Sequence, residues 1–198
     1  MRRIIAGSFA SLLILGATAL PAQAAAPEEK PTIAGIVASS GGQFDGNHSD
    51  YDILLNAVQA ADLVGALNDP SAKLTVFAPN DRAFVLLAKD LGFTGKDEAG
   101  AWNFLVGALT QLGNGDPIPV LKNVLLYHVA SGNLGIVDVA TSKKVDTLLG
   151  SSFGVRLVVL VDQDPDFKNP VVLPLASNIK ASNGIVHTIS RVLLPINI

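Results

Sequence analysis

A serine between two glycines is the first feature of the sequence whose residue types could perform chemistry. "GSSFG", residues 150–154, fits the Gly-x-Ser-x-Gly pattern of a nucleophile elbow with Ser152 as the nucleophile, and His187 follows later in the chain, as it does in hydrolases. An elbow requires a strand before the serine and a helix after it, whereas the residues that follow, "VRLVVLV", favour a strand. The pattern therefore predicts a hairpin loop. No catalytic residue is assigned, and a serine hydrolase is kept only as a third alternative.

An aspartate-rich segment could bind calcium. "DQDPDF", residues 162–167, spaces three aspartates as a calcium loop does. The EF-hand pattern, however, needs glycine where Phe167 stands and glutamate where Leu173 stands, and Pro165 stiffens the turn. The segment predicts a solvated loop between two strands, with weak calcium binding as the alternative.

Histidine spacing gives no zinc motif. His48, His128 and His187 form no His-x-His or His-x-x-His pair, so no metal site is predicted. His48 lies in "NHS", a formal glycosylation acceptor at Asn47. His128 follows an apolar run, which favours a hydrogen-bonded core residue over a general base.

Asp81, at the end of "LTVFAPNDRAF" (74–84), could be an acid placed at a strand end. Pro79 stops the apolar run, and Asn80 has the side chain of a helix N-cap. Asp81 then places negative charge at the positive end of that helix. We interpret the stretch as a structural joint.

The elements that would position these residues are helical in the first half of the chain and extended in the second. The predicted helices are 32–40, a helix or helix pair from an N-cap at Asp50 to 67, 81–89, 96–112 ended by Gly113, and a short helix within 117–129 that passes into an extended segment. The predicted strands are 74–78, 155–161, a proline-interrupted edge at 170–177, and a hairpin whose type I′ turn is Asn183-Gly184. Phe77 and Phe84 are expected to join strand and helix in one core. This order predicts one α+β domain.

The N-terminus predicts export. Residues 1–24 run from basic through apolar to small residues, the order of a secretory signal peptide, with a retained anchor as the alternative. Residues 25–31 are a predicted linker, and residues 32–198 are the predicted domain. We expect a secreted protein, periplasmic or extracellular, with no membrane span after cleavage.

Charge and composition exclude several classes of protein. The chain has 198 residues, 14 of them basic and 17 acidic, and loss of Arg2 and Arg3 with the signal leaves a net charge of −5. No basic stripe remains for nucleic acid. Because cysteine is absent, disulfides, thiol catalysis and thiolate metal sites are excluded.

Three stretches together resemble the fasciclin, or FAS1, domain family. "LTVFAPNDRAF" (74–84) is similar to its first characteristic motif, "LLYHVASG" (125–132) to its Tyr-His segment, and "ASNGIVHTISRVLLP" (181–195) to its second motif. Their order, together with "ILLNAVQAADLVGAL" (53–67), extends the resemblance over about residues 32–196. The motif residues given a structural role are Thr75, Phe77, Pro79, Asn80, Asp81, Phe84, Asn183, Gly184 and His187.

The resemblance implies a wedge of β-strands packed against several α-helices, with no catalytic residues and no cofactor. In animal members the Tyr-His segment is linked to integrin binding. The matching candidates for partner binding here are Leu125, Leu126, Tyr127, His128 and Val129. Residues 101–120 are longer than the corresponding stretch of many members, and an extended helix there could cover or create a surface.

Two functions follow from the resemblance. The first is adhesion, or interaction with a surface protein, a matrix protein or a polysaccharide, and the oligomeric state is left open. The alternative is a carrier for an apolar small molecule such as a carotenoid or a lipid, since some members bind carotenoids. A positive mean hydropathy and few aromatic residues are compatible with this alternative.

Overall fold

The structure is a computed structural model that describes residues 29–39 and 42–198. The predicted signal peptide and residues 25–28 of the predicted linker lie outside the described residues. None of the described helices is both long and apolar enough to cross a membrane.

The described chain contains seven α-helices, which lie mostly in its first half, and seven β-strands, which lie mostly in its second half. The helices are α1 (Ile33–Ser39), α2 (Asp52–Ala60), α3 (Val64–Asn68), α4 (Asp81–Asp90), α5 (Glu98–Leu112), α6 (Pro117–Tyr127) and α7 (Ile136–Thr141). The strands are β1 (Leu74–Pro79), β2 (Val129–Ser131), β3 (Lys144–Asp146), β4 (Ser152–Arg156), β5 (Val159–Val161), β6 (Ile179–Ala181) and β7 (Gly184–Ile189). A 3₁₀ turn spans Pro174–Ala176. The predicted α+β class is confirmed.

The strands form two small sheets. The first has the order β2-β1-β7-β6, in which β1 runs parallel to β7 and antiparallel to β2. The second has the order β3-β4-β5 and is antiparallel throughout. In the first sheet, therefore, the two family motifs pair side by side along the whole of β1.

Phe77 and Phe84 lie in different cores, so the expectation of one shared core is wrong. Successive side chains of a strand point to opposite faces. Val76 packs with Phe84 in the core between the helices and the first sheet, whereas Phe77 faces the second core with Tyr127 and Phe153. Phe77 meets Phe153 edge-on, with ring centroids 5.2 Å apart.

The predicted strand 155–161 is a hairpin instead. β4 ends at Arg156, and β5 begins at Val159 and pairs back with it. Leu157 turns the chain with a left-handed φ of 60°, which an apolar sequence pattern does not predict, and its side chain is 75% exposed. The predicted edge 170–177 is also not a continuous strand, because it makes only two isolated bridges before the 3₁₀ turn.

The hairpin between β6 and β7 is confirmed, but its predicted turn is wrong. The turn residues are Ser182 and Asn183, and neither Asn183 nor Gly184 has a positive φ. Gly184 is needed for close approach, since a Cβ there would lie 2.1 Å from the carbonyl oxygen of Leu74. Asn183 lies in the turn, and its side chain accepts from the Ile33 amide at 2.9 Å and so anchors α1.

The long segment before α6 is helical, as predicted. α5 ends with Gly113 as its C-cap. Asn114 and Gly115 then reverse the chain with φ of 52° and 106°. Asp116 caps α6 by accepting from the Ile118 amide at 3.0 Å.

Candidate functional site

The joint at Asn80 and Asp81 connects two helices. Asn80 caps α4, as predicted, because its Oδ1 accepts from the Ala83 amide at 3.1 Å. Asp81 reaches across to α2, where its two oxygens accept from the amides of Asp52 at 3.0 Å and Ile53 at 2.7 Å.

Asp50 is therefore not the N-cap of α2, contrary to the sequence prediction. Tyr51 occupies that position without a side-chain cap hydrogen bond, and Asp81 provides the acceptors from a distance of about 30 residues in sequence. No local pattern signals such a contact, because the capping side chain belongs to another helix.

Asp81 lies among other buried carboxylates. It is fully buried, and its pKa is raised to about 8 by burial and by the neighbouring Asp50 carboxyl. Burial also raises the pKa of Asp52. Glu98 is 1% exposed, and its Oε1 lies 2.8 Å from Nδ1 of His48. The sequence did not predict that these acids meet.

His128 is a buried core residue, as predicted. Its Nδ1 donates to the carbonyl of Val124 at 2.7 Å, and its Nε2 accepts from the amide of Leu193 at 2.9 Å, a pattern that assigns the neutral Nδ1–H tautomer. Desolvation lowers the pKa of His128 to about 4. The ring joins the end of α6 to the C-terminal segment.

His187 forms a second complete set of contacts. Its Nε2 donates to the carbonyl of Leu134 at 2.8 Å, and its Nδ1 accepts from the Asn178 amide at 3.3 Å. Burial lowers the pKa of His187. The ring stacks on Phe77 with centroids 5.7 Å apart. Thr75 binds the same segment, since its hydroxyl accepts from the Leu134 amide at 2.8 Å.

Two sequence patterns with possible chemistry remain, the Gly-x-Ser-x-Gly pattern at Ser152 and the aspartate-rich segment 162–167. Neither forms the nucleophile elbow or the calcium loop that its residues could suggest. Ser152 begins β4 after a turn and is not followed by a helix, and its carbonyl accepts from the Tyr127 hydroxyl at 3.3 Å. The elbow arrangement is therefore absent at Ser152. In the aspartate-rich loop, Asp164 accepts from the amides of Asp166, at 2.8 Å, and Phe167, at 3.1 Å, so its carboxylate caps backbone.

Four of the five candidate partner-binding residues are buried. Leu125, Tyr127, His128 and Val129 are between 0% and 7% exposed, and only Leu126 is partly exposed. Binding by this segment stays a prediction, and in this conformation Leu126 is the residue of the segment that a partner would contact directly.

The same segment lines a small apolar cavity. Leu125, Leu126, His128 and Val129 form one wall of a space of about 40 Å³. α2 and α3 supply the opposite wall, and Leu148, which is 43% exposed, also lines the cavity. Its lining exposes only apolar atoms.

A second apolar cavity lies on another side of the helical layer. α4, α5, α6 and the C-terminal segment enclose about 60 Å³, with Trp102 in the wall. Leu112 and Ile196 also line it and are 46% and 48% exposed. The predicted helix 96–112 therefore creates a surface of its own.

Comparison with known proteins identifies relatives of this chain. The family model for the fasciclin domain matches residues 49–195. The chain is 32% identical over 144 residues to the uncharacterized protein sll1735 of Synechocystis sp., covering 73% of this chain and 89% of that protein. It is 31% identical over 150 residues to the transforming growth factor-beta-induced protein ig-h3 of Sus scrofa, covering 73% of this chain and 18% of that longer protein.

A solved structure has the same fold. The FAS1 domain pair of the insect cell adhesion molecule Fasciclin I superposes with a TM-score of 0.56 at 17% identity. The match covers 84% of this chain and 51% of that one.

Proposed function

The chain belongs to the fasciclin (FAS1) domain family, and on that premise we propose that it is a non-catalytic adhesion or protein-interaction module that acts outside the cytoplasm. Fasciclin I, which has the same fold, is named as a cell adhesion molecule. The observation that carries the proposal is the apolar cavity beside Leu126, because exposed apolar surface beside a concave site is typical of protein interaction sites.

The proposed partner is a surface or matrix protein that inserts one aliphatic side chain beside Leu126. A space of about 40 Å³ accommodates the tip of such a side chain, and Leu148 extends the apolar contact at the rim. The buried Tyr127 and His128 act indirectly, since they fix the end of α6 from which Leu126 projects.

A complementation experiment in the native host tests this proposal. Deleting the protein should reduce attachment to surfaces or biofilm formation, and the wild-type chain should restore it. Leu126→Arg places a charge at the cavity and should not restore attachment. Val137→Arg is the matched control, because Val137 is an aliphatic residue 70% exposed on α7.

Two outcomes would contradict the proposal at different levels. Unchanged attachment after deletion would reject the adhesion role. Full restoration by a folded Leu126→Arg protein would retain the role but reject this cavity as the contact.

Export is tested by N-terminal sequencing of protein recovered from outside the cytoplasm. The signal pattern predicts cleavage after residue 24, which makes Ala25 the first residue, and cleavage after residue 26 is the alternative. A chain that still begins at Met1 would indicate a retained anchor or no export.

An extracytoplasmic carrier for a carotenoid or lipid is the second candidate function. The cavity beside Trp102 favours it, because its lining exposes only apolar atoms. Its volume of about 60 Å³ counts against it, since pockets for small molecules of drug size are about 300–1,000 Å³ and α5 or α6 would have to move. Protein isolated from the native host without pigment or lipid, by absorbance and mass spectrometry, would exclude the carrier.

A further inference from the structure

Five carboxylates converge where the loop before α2 meets the beginnings of three helices. Asp45 and Asp50 lie in the loop, and Asp52, Asp81 and Glu98 are the first residues of α2, α4 and α5. α2 packs against both other helices, which brings the three N-termini together. Helix N-termini favour negative charge, and this accounts for part of the cluster.

Hydrogen bonds leave two buried oxygens of the cluster unpaired. One oxygen of Asp52 accepts from the Gly42 amide at 2.5 Å, and one oxygen of Asp50 accepts from the Asn47 side chain at 3.0 Å. The other oxygens, Oδ2 of Asp52 and Oδ1 of Asp50, accept from no N–H or hydroxyl group in the described chain and have almost no exposed area, and the Asp50 carboxyl lies against the carboxyl of Asp81. Asp52 is 0% and Asp50 6% exposed, so solvent does not satisfy these acceptors.

Positive side chains do not balance the cluster. Within the described residues, no Lys or Arg nitrogen lies within 4.0 Å of these five carboxylates, and His48 is the one basic side chain paired with them. A buried carboxylate without a partner is costly, because desolvation is not offset by a charge or a hydrogen bond. The cluster therefore has a deficit of positive charge at its buried centre.

The buried oxygens lie close enough together to contact one calcium ion. Asp50, Asp52 and Asp81 each offer one oxygen, and the three lie within 4.8 Å of one another. Two oxygens bound to one Ca²⁺ at about 2.4 Å are at most about 4.8 Å apart, so all three fit around one ion with small adjustments. Asp45, Asp50 and Glu98 form an adjoining trio at the same spacing, and the exposed Asp45 connects it to solvent.

The donor atoms indicate the class of ion. Carboxylate oxygens select hard cations, and the chain has no cysteine to favour a soft one. The ligands come from a glycine-containing loop and two helices, which suits the variable coordination of Ca²⁺ better than the strict octahedron of Mg²⁺.

We propose that Asp50, Asp52 and Asp81 bind one Ca²⁺ ion, and that Asp45 and Glu98 guide the ion from solvent. The site is independent of the adhesion role and of the Leu126 cavity. The bound ion would join the loop to the N-termini of α2 and α4. An affinity of about 10⁻⁴–10⁻³ M, the range of extracellular calcium modules, would order this region outside the cell.

Thermal unfolding and calorimetric titration of the purified chain with CaCl₂, after treatment with EDTA, test the site. At ten times the dissociation constant, Ca²⁺ should raise the melting temperature by about 3–6 °C. MgCl₂ at the same ionic strength should give a smaller shift. Equal melting temperatures in EDTA and in 10 mM CaCl₂ would overturn the proposal, since the carboxylates would then be neutralised by protons alone.

Two variants and a matched control locate the ion. Asp52→Asn should weaken Ca²⁺ binding at least tenfold and reduce the shift in melting temperature at the same CaCl₂ concentration to at most about 1–2 °C. Asp50→Asn should do the same, and it replaces Asp52→Asn if that variant does not fold. Asp166→Asn, at an exposed aspartate of the other acidic loop, should keep the wild-type response. A full response in either cluster variant, or its loss in Asp166→Asn, would reject this site.

Discussion

The two buried histidines and the buried carboxylates at the helix N-termini differ in whether their polar atoms have partners. Both ring nitrogens of His128 and of His187 make hydrogen bonds to backbone groups. Asp50 and Asp52 each retain one buried oxygen without a partner. A complete polar network specifies and stabilises a fold, whereas an incomplete one carries the desolvation cost of its unpaired groups.

The two regions also respond to protons in opposite directions. Burial lowers the pKa of His128 to about 4, so the ring stays neutral in the folded protein. Burial and a neighbouring carboxyl raise the pKa of Asp81 to about 8, so this side of the molecule retains protons. In both regions the folded state avoids uncompensated charge. The histidine rings stay neutral, and the carboxylates are neutralised by protons or by a cation.

The largest expected loss of stability comes from removing the hydrogen bonds of His128. His128→Leu removes the acceptor of the buried Leu193 amide and the donor to the Val124 carbonyl. Two buried unsatisfied groups should lower the free energy of unfolding by about 3 kcal/mol, measured by urea denaturation at pH 7. A loss below about 1 kcal/mol would show that the histidine network is not the stabilising region.

The same variant isolates the pH dependence of His128. The pKa of His128 is near the ordinary histidine value of 6.5 in the unfolded chain and about 4 in the folded protein, so the unfolded chain binds the extra proton between these pH values. The stability that the neutral ring contributes is complete above about pH 6.5 and is lost as the pH falls toward 4, at about 1.4 kcal/mol per unit.

Because leucine does not titrate, the stability difference between wild type and His128→Leu should shrink by about 3 kcal/mol between pH 7 and pH 4. Urea denaturation of both proteins across this range measures it, and the other titrating groups cancel in the difference. A constant difference would show that the pKa of His128 is the same in the folded and unfolded states.

A smaller loss of stability is expected at Asn80. It tests whether a residue beside the carboxylates stabilises the fold when its own hydrogen bond is complete. Asn80 lies beside the carboxylates, but its cap to Ala83 is a complete donor–acceptor pair. Asn80→Ala should lower the free energy of unfolding by about 1 kcal/mol, the usual loss of a helix cap, with a matching fall in melting temperature. An unchanged melting temperature would show that the cap does not contribute to stability.

The sequence predicts those features that local chemistry determines. The Asn80 cap, the end of α5 at Gly113 and the passage from α6 into β2 each follow from a few adjacent residues. The buried position of His128 follows from its place in an apolar run.

Features that depend on distant contacts were not predictable in the same way. Asp81 accepts from amides 28 and 29 residues away, and Asn183 accepts from an amide 150 residues away. Leu157 bends a continuous apolar run through a left-handed turn that no local signal marks. The carboxylate cluster belongs to this group, because its members lie in one loop and at the first residues of three separate helices, which meet only after folding.

The most direct test of the difference between the histidine network and the carboxylate cluster is the free energy of unfolding of Asp52→Asn at pH 7 in EDTA. An amide in place of the carboxylate keeps an oxygen for the Gly42 amide and removes a buried charge that no basic side chain of the described residues balances. We expect a free energy of unfolding equal to that of the wild type or about 1 kcal/mol higher, the reverse of His128→Leu. A loss of 1 kcal/mol or more would contradict the account, because the carboxylate cluster would then be a complete, stabilising network like the histidines.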